Sequence, residues 1–112
     1  MANPTPKLRL CALAEIPEAG SKGFLIAGRK LFAVRQAGKT YLYHNQCPHL
    51  GIPLEWVEDQ FLDSSGSMIQ CANHGALFVI KTGKCVAGPC SGRSLVPIDF
   101  IIEAGDIFIF PS

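Results

Sequence analysis

The chain has little of what marks several large classes of protein. It has 112 residues and a formal net charge of +1, so neither a nucleic-acid-binding surface nor a charged disordered tail is indicated. No apolar run approaches the ~20 residues that span a bilayer. The partly apolar stretch 8–16 is interrupted by Arg9 and Glu15, which makes it a poor signal-peptide core. We therefore expect a cytoplasmic protein with one domain, and neither a nucleic acid nor a membrane as partner.

The signals of a self-sufficient enzyme are also missing. No flavin or nicotinamide fingerprint is present, and no catalytic nucleophile or acid–base pair stands out. These absences favour a component of a larger system over a catalyst acting by itself.

The number of cysteines in the chain is informative. Five cysteines is an odd count, and in a reducing compartment they should be ligands or buried thiols. Cys11 lies in an alternating strand pattern, which predicts a core thiol. Cys85 and Cys90 flank a Gly-Pro turn, where they could be small core residues or form a local disulfide. Redox sensing by these two would require exposed thiols of low pKa.

Two short segments each combine one thiol with one imidazole. Cys47-Pro48-His49-Leu50-Gly51 is echoed by Cys71-Ala72-Asn73-His74-Gly75. Two thiolates and two imidazoles complete a four-ligand site of the kind that selects zinc, copper or an iron–sulfur cluster over calcium or magnesium. The glycines let the backbone pass close to a bulky inorganic group. The third histidine, His44, has no second cysteine to pair with, so we interpret it as structural or surface.

The ligand set leaves two kinds of centre open. One tetrahedral zinc ion would satisfy it, and so would a [2Fe–2S] cluster with two Cys on one iron and two His on the other. Zinc fingers usually pair Cys with Cys and His with His. Here each segment carries one of each, with C-x-H in the first and C-x-x-H in the second, which favours the cluster.

The arrangement resembles the Rieske family. The matching residues are the two segments, the second extended through Ala76-Leu77-Phe78, and Thr82-Gly83-Lys84-Cys85-Val86-Ala87-Gly88-Pro89, which is similar to the family's proline loop. The resemblance implies one [2Fe–2S] cluster per chain, with ligands Cys47, His49, Cys71 and His74. The residues that it places around the ligands are Leu50, Gly51, Gly75, Gly88 and Pro89.

The resemblance also bears on the reduction potential. High-potential members carry an extra cysteine in each segment, joined as a disulfide, and hydroxyl donors just after the second segment. In this sequence Ile52 and Asn73 occupy the cysteine positions, and Ala76 and Phe78 occupy the hydroxyl positions. The chain is therefore similar to the low-potential Rieske-type ferredoxins without a disulfide.

Short strands separated by frequent Gly and Pro predict an all-β fold. We expect strands at residues 7–13, 23–27, 30–36, 40–44, 68–71, 76–80, 84–86, 95–102 and 107–110, and either a short helix or an irregular segment at 54–62. The predicted architecture is an antiparallel sandwich or barrel base from residues 7–44 and 91–110. A small cluster-binding subdomain, residues 45–90, is inserted in it, as the Rieske resemblance also implies.

Two features of the middle of the chain are distinctive. The 21 residues between His49 and Cys71 are more than the family's usual spacer, with the extra length around residues 56–67. No Lys or Arg lies between Lys39 and Lys81, where four acidic residues give a charge of −4 against +5 for the rest. We interpret this as either a solvated polar loop or a docking surface for a basic partner. An apolar rim of Leu50, Ile52, Trp56 and Pro89 is expected around the histidines, with a core or subdomain-packing position as the alternative for Trp56.

The leading hypothesis is a one-electron carrier, a ferredoxin that takes electrons from a reductase and delivers them to an oxygenase or related oxidoreductase. The alternatives are a non-catalytic Rieske-like subunit of a larger oxidoreductase, such as a nitrite reductase, and a structural zinc module for protein interaction.

Overall fold

The computed structural model describes residues 7–48, 51–55, 57–73 and 75–110. In these ranges the chain forms nine β-strands, and no α-helix is present. A single 3₁₀ turn covers Leu13–Glu15. The strands are β1 Leu8–Ala12, β2 Gly20–Ile26, β3 Arg29–Gln36, β4 Lys39–His44, β5 Met68–Gln70, β6 Leu77–Val79, β7 Cys85–Ala87, β8 Phe100–Glu103 and β9 Asp106–Ile109.

The strands form three antiparallel sheets of three. The first sheet has the order β1-β9-β8, the second β2-β3-β4 and the third β5-β6-β7. The first sheet joins the two ends of the chain, and the third is drawn wholly from residues 68–87. The all-β, antiparallel fold class predicted from the sequence is confirmed.

Three of the hairpins turn on the same dipeptide. Ala27-Gly28, Ala37-Gly38 and Ala104-Gly105 each connect two paired strands, and all six residues have positive φ between 51° and 81°. Two successive positive φ values define the turn whose twist matches that of the flanking strands. The strands predicted at 23–27 and 30–36 left residues 28–29 for the first of these turns, one residue later than the turn lies in the structure.

The buried side chains form two clusters. One lies among the first and second sheets and contains Cys11, Ile16, Leu31, Ile107 and Ile109, among others. The other joins the second sheet to the third and contains Cys47, Cys71, Phe32, Phe61 and Phe78, among others. The two predicted ligand cysteines thus lie in the same apolar core.

The prediction of a strand over residues 95–102 is wrong in its first half. Only Phe100–Glu103 forms a strand, because Pro97 has no N–H to donate to a ladder. The preceding residues instead bond singly to β4, with Ile98 N–H donating to the Leu42 carbonyl at 3.0 Å and His44 N–H to the Val96 carbonyl at 2.9 Å.

The long segment between the ligand-bearing loops is irregular rather than helical where it is described, and it packs on β2. Asp59 accepts a hydrogen bond from the backbone N–H of Gly23 at 2.8 Å, and its carbonyl accepts one from the Ser21 hydroxyl at 2.7 Å. The ring of Phe61 stacks on Phe32 at 4.4 Å with an interplanar angle of 4°. The extra length therefore fastens the middle of the chain to the second sheet. Trp56 lies outside the described residues.

No helix in the described part of the chain has the length and apolar character needed to cross a membrane.

Candidate metal centre

The two loops that carry the predicted ligands have the same backbone hydrogen bonds. In the first, Cys47 N–H donates to the Ile52 carbonyl at 2.7 Å, and Gly51 N–H donates to the Cys47 carbonyl at 2.6 Å. In the second, Cys71 N–H donates to Ala76 at 2.9 Å and Gly75 N–H to Cys71 at 2.8 Å. Each bond spans the same number of residues in both loops. The described ends of the two loops, 47–52 and 71–76, are thus equivalent in their backbone hydrogen bonds although the Cys–His spacings in the sequence differ.

Gly51 and Gly75 are required by this loop geometry. Their φ values are +71° and +67°, a region that residues with a Cβ adopt at a cost. Both glycines are exposed, so each loop places its cysteine inward and its glycine outward.

The structure places both predicted sulfur ligands inside the protein. Cys47 and Cys71 have no exposed surface and belong to the core cluster with Phe61 and Phe78. The predicted nitrogen ligands, His49 and His74, lie outside the described residues, as does Leu50. Among the residues that are described, no group of three or more Cys, His, Asp or Glu side chains is gathered. The structure therefore presents the sulfur half of the predicted ligand set.

Two hydrogen bonds join the second loop to the residues that directly follow the first loop. Ala72 N–H donates to the Leu54 carbonyl at 2.8 Å, and the Asn73 side-chain amide donates to the Pro53 carbonyl at 3.1 Å. Asn73 and Ile52 are the positions at which high-potential Rieske proteins place their disulfide. The Asn73 bond ends one residue from Ile52, so it ties the two loops together at the same place by a weaker, reversible contact.

Replacing Asn73 with Ala should loosen this connection. We expect the free energy of unfolding to fall by about 0.5–1.5 kcal/mol, the usual value of one hydrogen bond. Any bound metal centre should also bleach faster under a chelator, as followed by visible absorbance. Asn73→Asp keeps the size but not the amide donor, so it should bleach at least as fast. Bleaching at the parent rate in both variants would contradict a role for this bond.

The predicted proline loop packs on the second ligand loop. A Cβ at Gly88 would lie 2.8 Å from the Cα and 3.1 Å from the Cβ of Ala76, and Gly88 has a φ of +95°. The close approach to Ala76 and the positive φ each require glycine at position 88. Pro89, the next residue, is exposed. Ala76 is fully buried beneath the turn.

The positions that carry hydroxyl donors in high-potential relatives are apolar and enclosed. Ala76 and Phe78 have no exposed surface. The buried hydroxyl of Tyr43 donates to the Ile80 carbonyl at 2.6 Å. Burial raises the pKa of Tyr43 to about 12, so this donor is retained throughout the neutral range.

Sequence reasoning missed one contact of the first ligand loop. The sulfur of Cys90 lies 3.5 Å from the sulfur of Cys47, and both side chains are fully buried. In the same turn, the guanidinium of Arg93 donates to the Pro48 carbonyl at 2.8 Å. The only signal in the sequence was a cysteine next to the Gly-Pro turn, and its partner lies 43 residues away.

The other cysteines behave as core residues. Cys11 is 3 % exposed, and burial raises its pKa to about 11, which makes it an unreactive thiol. Cys85 is a free thiol that donates to the Ala87 carbonyl at 3.2 Å, so the considered disulfide with Cys90 is not formed. His44 is half-buried, and burial together with Arg29 lowers its pKa, in agreement with a structural role.

Three of the four acidic residues of the middle segment are engaged within the protein. Asp59 binds the Gly23 N–H, and Glu55 accepts from the Asn45 amide at 2.8 Å. Asp63 accepts from Ser65 and from backbone N–H groups, which lowers its pKa. Glu58 is exposed. Arg93, from outside the acidic span, reaches the first ligand loop, so the surroundings of that loop are not uniformly acidic.

The donor set found here fits a thiophilic metal centre. Thiolate sulfur held in an apolar core suits soft or borderline metals. Cys47 and Cys71 occupy the same place in the two hydrogen-bonded loops and belong to the same buried cluster.

Comparison with protein families gives a match over most of the chain. The family described as Rieske [2Fe-2S] domain matches residues 7–105.

Individual relatives agree with this match. The chain is 26% identical over 106 residues to the 3-phenylpropionate/cinnamic acid dioxygenase ferredoxin subunit of Shigella flexneri, covering 92% of each chain. It is 32% identical over 78 residues to the ferredoxin component of the naphthalene 1,2-dioxygenase system of Pseudomonas aeruginosa, covering 70% of each. Among solved structures, the ferredoxin of carbazole 1,9a-dioxygenase from Nocardioides aromaticivorans IC177 aligns with a TM-score of 0.77 at 21% identity. That alignment covers 96% of this chain and 100% of the other, and it supports the same fold.

Proposed function

Since this chain belongs to the Rieske [2Fe–2S] domain family, we propose that it is the ferredoxin of an oxygenase system and that Cys47, His49, Cys71 and His74 hold its cluster. The family match supports one [2Fe–2S] cluster per chain, and the ferredoxin relatives support the role of one-electron carrier. The observation that supports the ligand assignment is the pair of equivalent loops, each with one buried cysteine and one predicted histidine.

When bound, a [2Fe–2S] cluster accepts and returns one electron, at potentials of about −150 to +300 mV in mixed Cys–His ligation. The chain's own residues set the conditions for this exchange. Cys47 and Cys71 would supply anionic sulfur to the cluster from within the core, where neither has exposed surface. The N–H and C=O groups of both cysteines bond to other backbone groups of their own loops, which keeps the two cysteines in a fixed orientation. Gly88 allows the proline turn to close over the second loop.

The same proposal divides the chain into a base of residues 7–44 and 91–110 and a cluster-binding subdomain of residues 45–90. The separate third sheet, drawn wholly from residues 68–87, supports this division. The buried cluster around Cys47 and Cys71 packs the proposed subdomain against the second sheet of the base.

The proposed partners are a reductase that supplies electrons and an oxygenase that receives them. Support comes from the two relatives, which are named as ferredoxins of dioxygenase systems. These names favour a free carrier over a nitrite reductase subunit, and the family match disfavours a zinc module. We place the carrier in the cytoplasm, which suits the thiol state of Cys11 and Cys85.

Spectroscopy of the purified protein, loaded under anaerobic conditions, tests the proposal. We expect two irons and two acid-labile sulfides per chain and a Rieske-type EPR signal after reduction with dithionite. Electron transfer from a flavoprotein reductase to an oxygenase component should then depend on added carrier. A colourless, zinc-containing protein would overturn the proposal.

The midpoint potential should lie in the low part of the family's window. Ala76 and Phe78 offer no hydroxyl donor to stabilise the reduced state, and both are enclosed. A titration followed by circular dichroism or EPR measures the potential. A value well above zero would contradict this prediction.

Docking to a basic partner should depend on salt and on Glu58, the exposed acid of the middle segment. We expect the second-order rate constant of electron transfer to fall as ionic strength rises. Glu58→Gln should lower this rate constant roughly twofold, because one charge supplies only a small part of the rate increase that a whole charged surface gives. Asp99→Asn, also at an exposed acid but outside the segment, is the control and should leave the rate unchanged. Stopped-flow rates that change neither with ionic strength nor with Glu58→Gln would exclude electrostatic steering by this segment.

A further inference from the structure

We propose that the thiol of Cys90 donates a hydrogen bond to the Cys47 sulfur and thereby raises the reduction potential of the cluster. The inference rests on the proposed function, because it takes Cys47 as a cluster ligand. Its basis is the 3.5 Å separation between the two sulfurs, within the range of a hydrogen bond to sulfur.

The direction of the bond follows from the ligand role of Cys47. Geometry alone leaves either sulfur as the donor. A cysteine that binds a metal does so as a thiolate, without a proton. Cys47 can then only accept, and Cys90 is the donor. A hydrogen bond to an anionic acceptor is stronger than one between neutral groups.

The fold holds Cys90 in this position from both sides. In the 88–93 turn, Ser91 N–H donates to the Gly88 carbonyl at 3.2 Å, and Arg93 N–H donates to the Cys90 carbonyl at 2.9 Å. The Arg93 side chain binds Pro48, the neighbour of Cys47. The side chains of Cys90 and Arg93 thus reach adjacent residues of the first ligand loop, and Cys90 has no exposed surface.

The consequence for the potential is electrostatic. Reduction adds one electron to the centre and makes the ligand sulfurs more negative, while the Cys90 proton stays on its sulfur. A donor to a ligand sulfur therefore stabilises the reduced state more than the oxidised state. Cys90 provides a thiol donor in a site where Ala76 and Phe78 provide no hydroxyl. It sets the potential above the value that this site would otherwise have.

Variants of Cys90 test the inference through the midpoint potential. Cys90→Ala should make reduction less favourable by up to about tenfold in the equilibrium constant, or 59 mV for one electron. Cys90→Val, which removes the donor but fills space, should shift the potential in the same direction. Cys90→Ser, which keeps a donor, should recover part of the shift. Cys85→Ala, another buried thiol but bonded to a carbonyl, is the matched control and should not shift the potential.

Infrared spectroscopy of the unmutated, loaded protein gives a second readout that does not need the Cys90 variants to fold. The S–H bands of Cys11 and Cys85 are identified by their loss in Cys11→Ala and Cys85→Ala, which leaves the band of Cys90. That band should move to lower frequency on reduction with dithionite, while the Cys11 band stays. A Cys90 band that does not respond to reduction, or equal potentials for the parent and the Ala variant, would overturn the inference. Absence of iron and sulfide from the parent protein would instead overturn the proposed function.

Discussion

Replacing Cys71 with Ala should abolish cluster incorporation. The expected result is a folded, colourless protein with no bound iron or acid-labile sulfide and no EPR signal after reduction. The physical reason is that the iron proposed to bind the thiolates of Cys47 and Cys71 would keep only one of these two ligands. Iron and sulfide assays after anaerobic loading measure the effect.

Cys11→Ala is the matched control for this change. Cys11 is nearly as well buried as Cys71, but it lies in the other core cluster, among Ile16, Leu31 and Ile107. Both substitutions remove one buried sulfur, so their packing costs should be similar. The control should load iron as the parent does. Full iron and sulfide in Cys71→Ala would remove Cys71 from the ligand set.

The second large effect is expected from Gly88→Ala. The new methyl group would meet the backbone of Ala76 at 2.8 Å, and the residue would have to adopt a φ of +95°. The backbone strain costs roughly 1–3 kcal/mol, and forcing an atom into a close-packed site adds about 1–3 kcal/mol. Because Ala76 closes the second ligand loop, the variant should also lose its cluster faster under a chelator. Denaturant unfolding and visible absorbance measure the two effects.

Gly92→Ala is the control that separates the cost of backbone strain from the cost of contact with Ala76. Gly92 has nearly the same φ, +89°, but a Cβ there would meet nothing within 4 Å. It should therefore show the strain alone and keep the parent's rate of cluster loss. Equal effects of the two substitutions would mean that contact with Ala76 contributes nothing to the ligand loop.

Much of the fold could be predicted locally. The sequence pattern predicts β3, β4 and β9 to within one residue at each end, because strand period and turn geometry are properties of a few consecutive residues. The strand β2 begins at Gly20, three residues before its predicted start. The strand predicted over residues 95–102 failed in its first half. There Pro97 and the single bonds to β4 decide the conformation, and β4 is about 50 residues away in the chain.

For the segment between the ligand loops, the sequence predicted the length but not the role. Its length was evident, but its role depends on Asp59 and Phe61 meeting Gly23 and Phe32 across the core. The acidic charge of the segment was likewise evident. That three of its four carboxylates bind the protein's own groups could be seen only after folding.

The sequence by itself determined the chemistry of this protein: two Cys–His segments of unlike spacing, a Gly-Pro turn and the family to which they belong. Ligand types and glycine positions are local, so they can be read along the chain. The tertiary structure alone decided that both loops share one hydrogen-bond pattern, that Asn73 ties them where a disulfide would lie, and that Cys90 touches Cys47. Each of these contacts joins residues 20 or more positions apart or compares two separate loops, and packing, rather than local preference, brings such residues together.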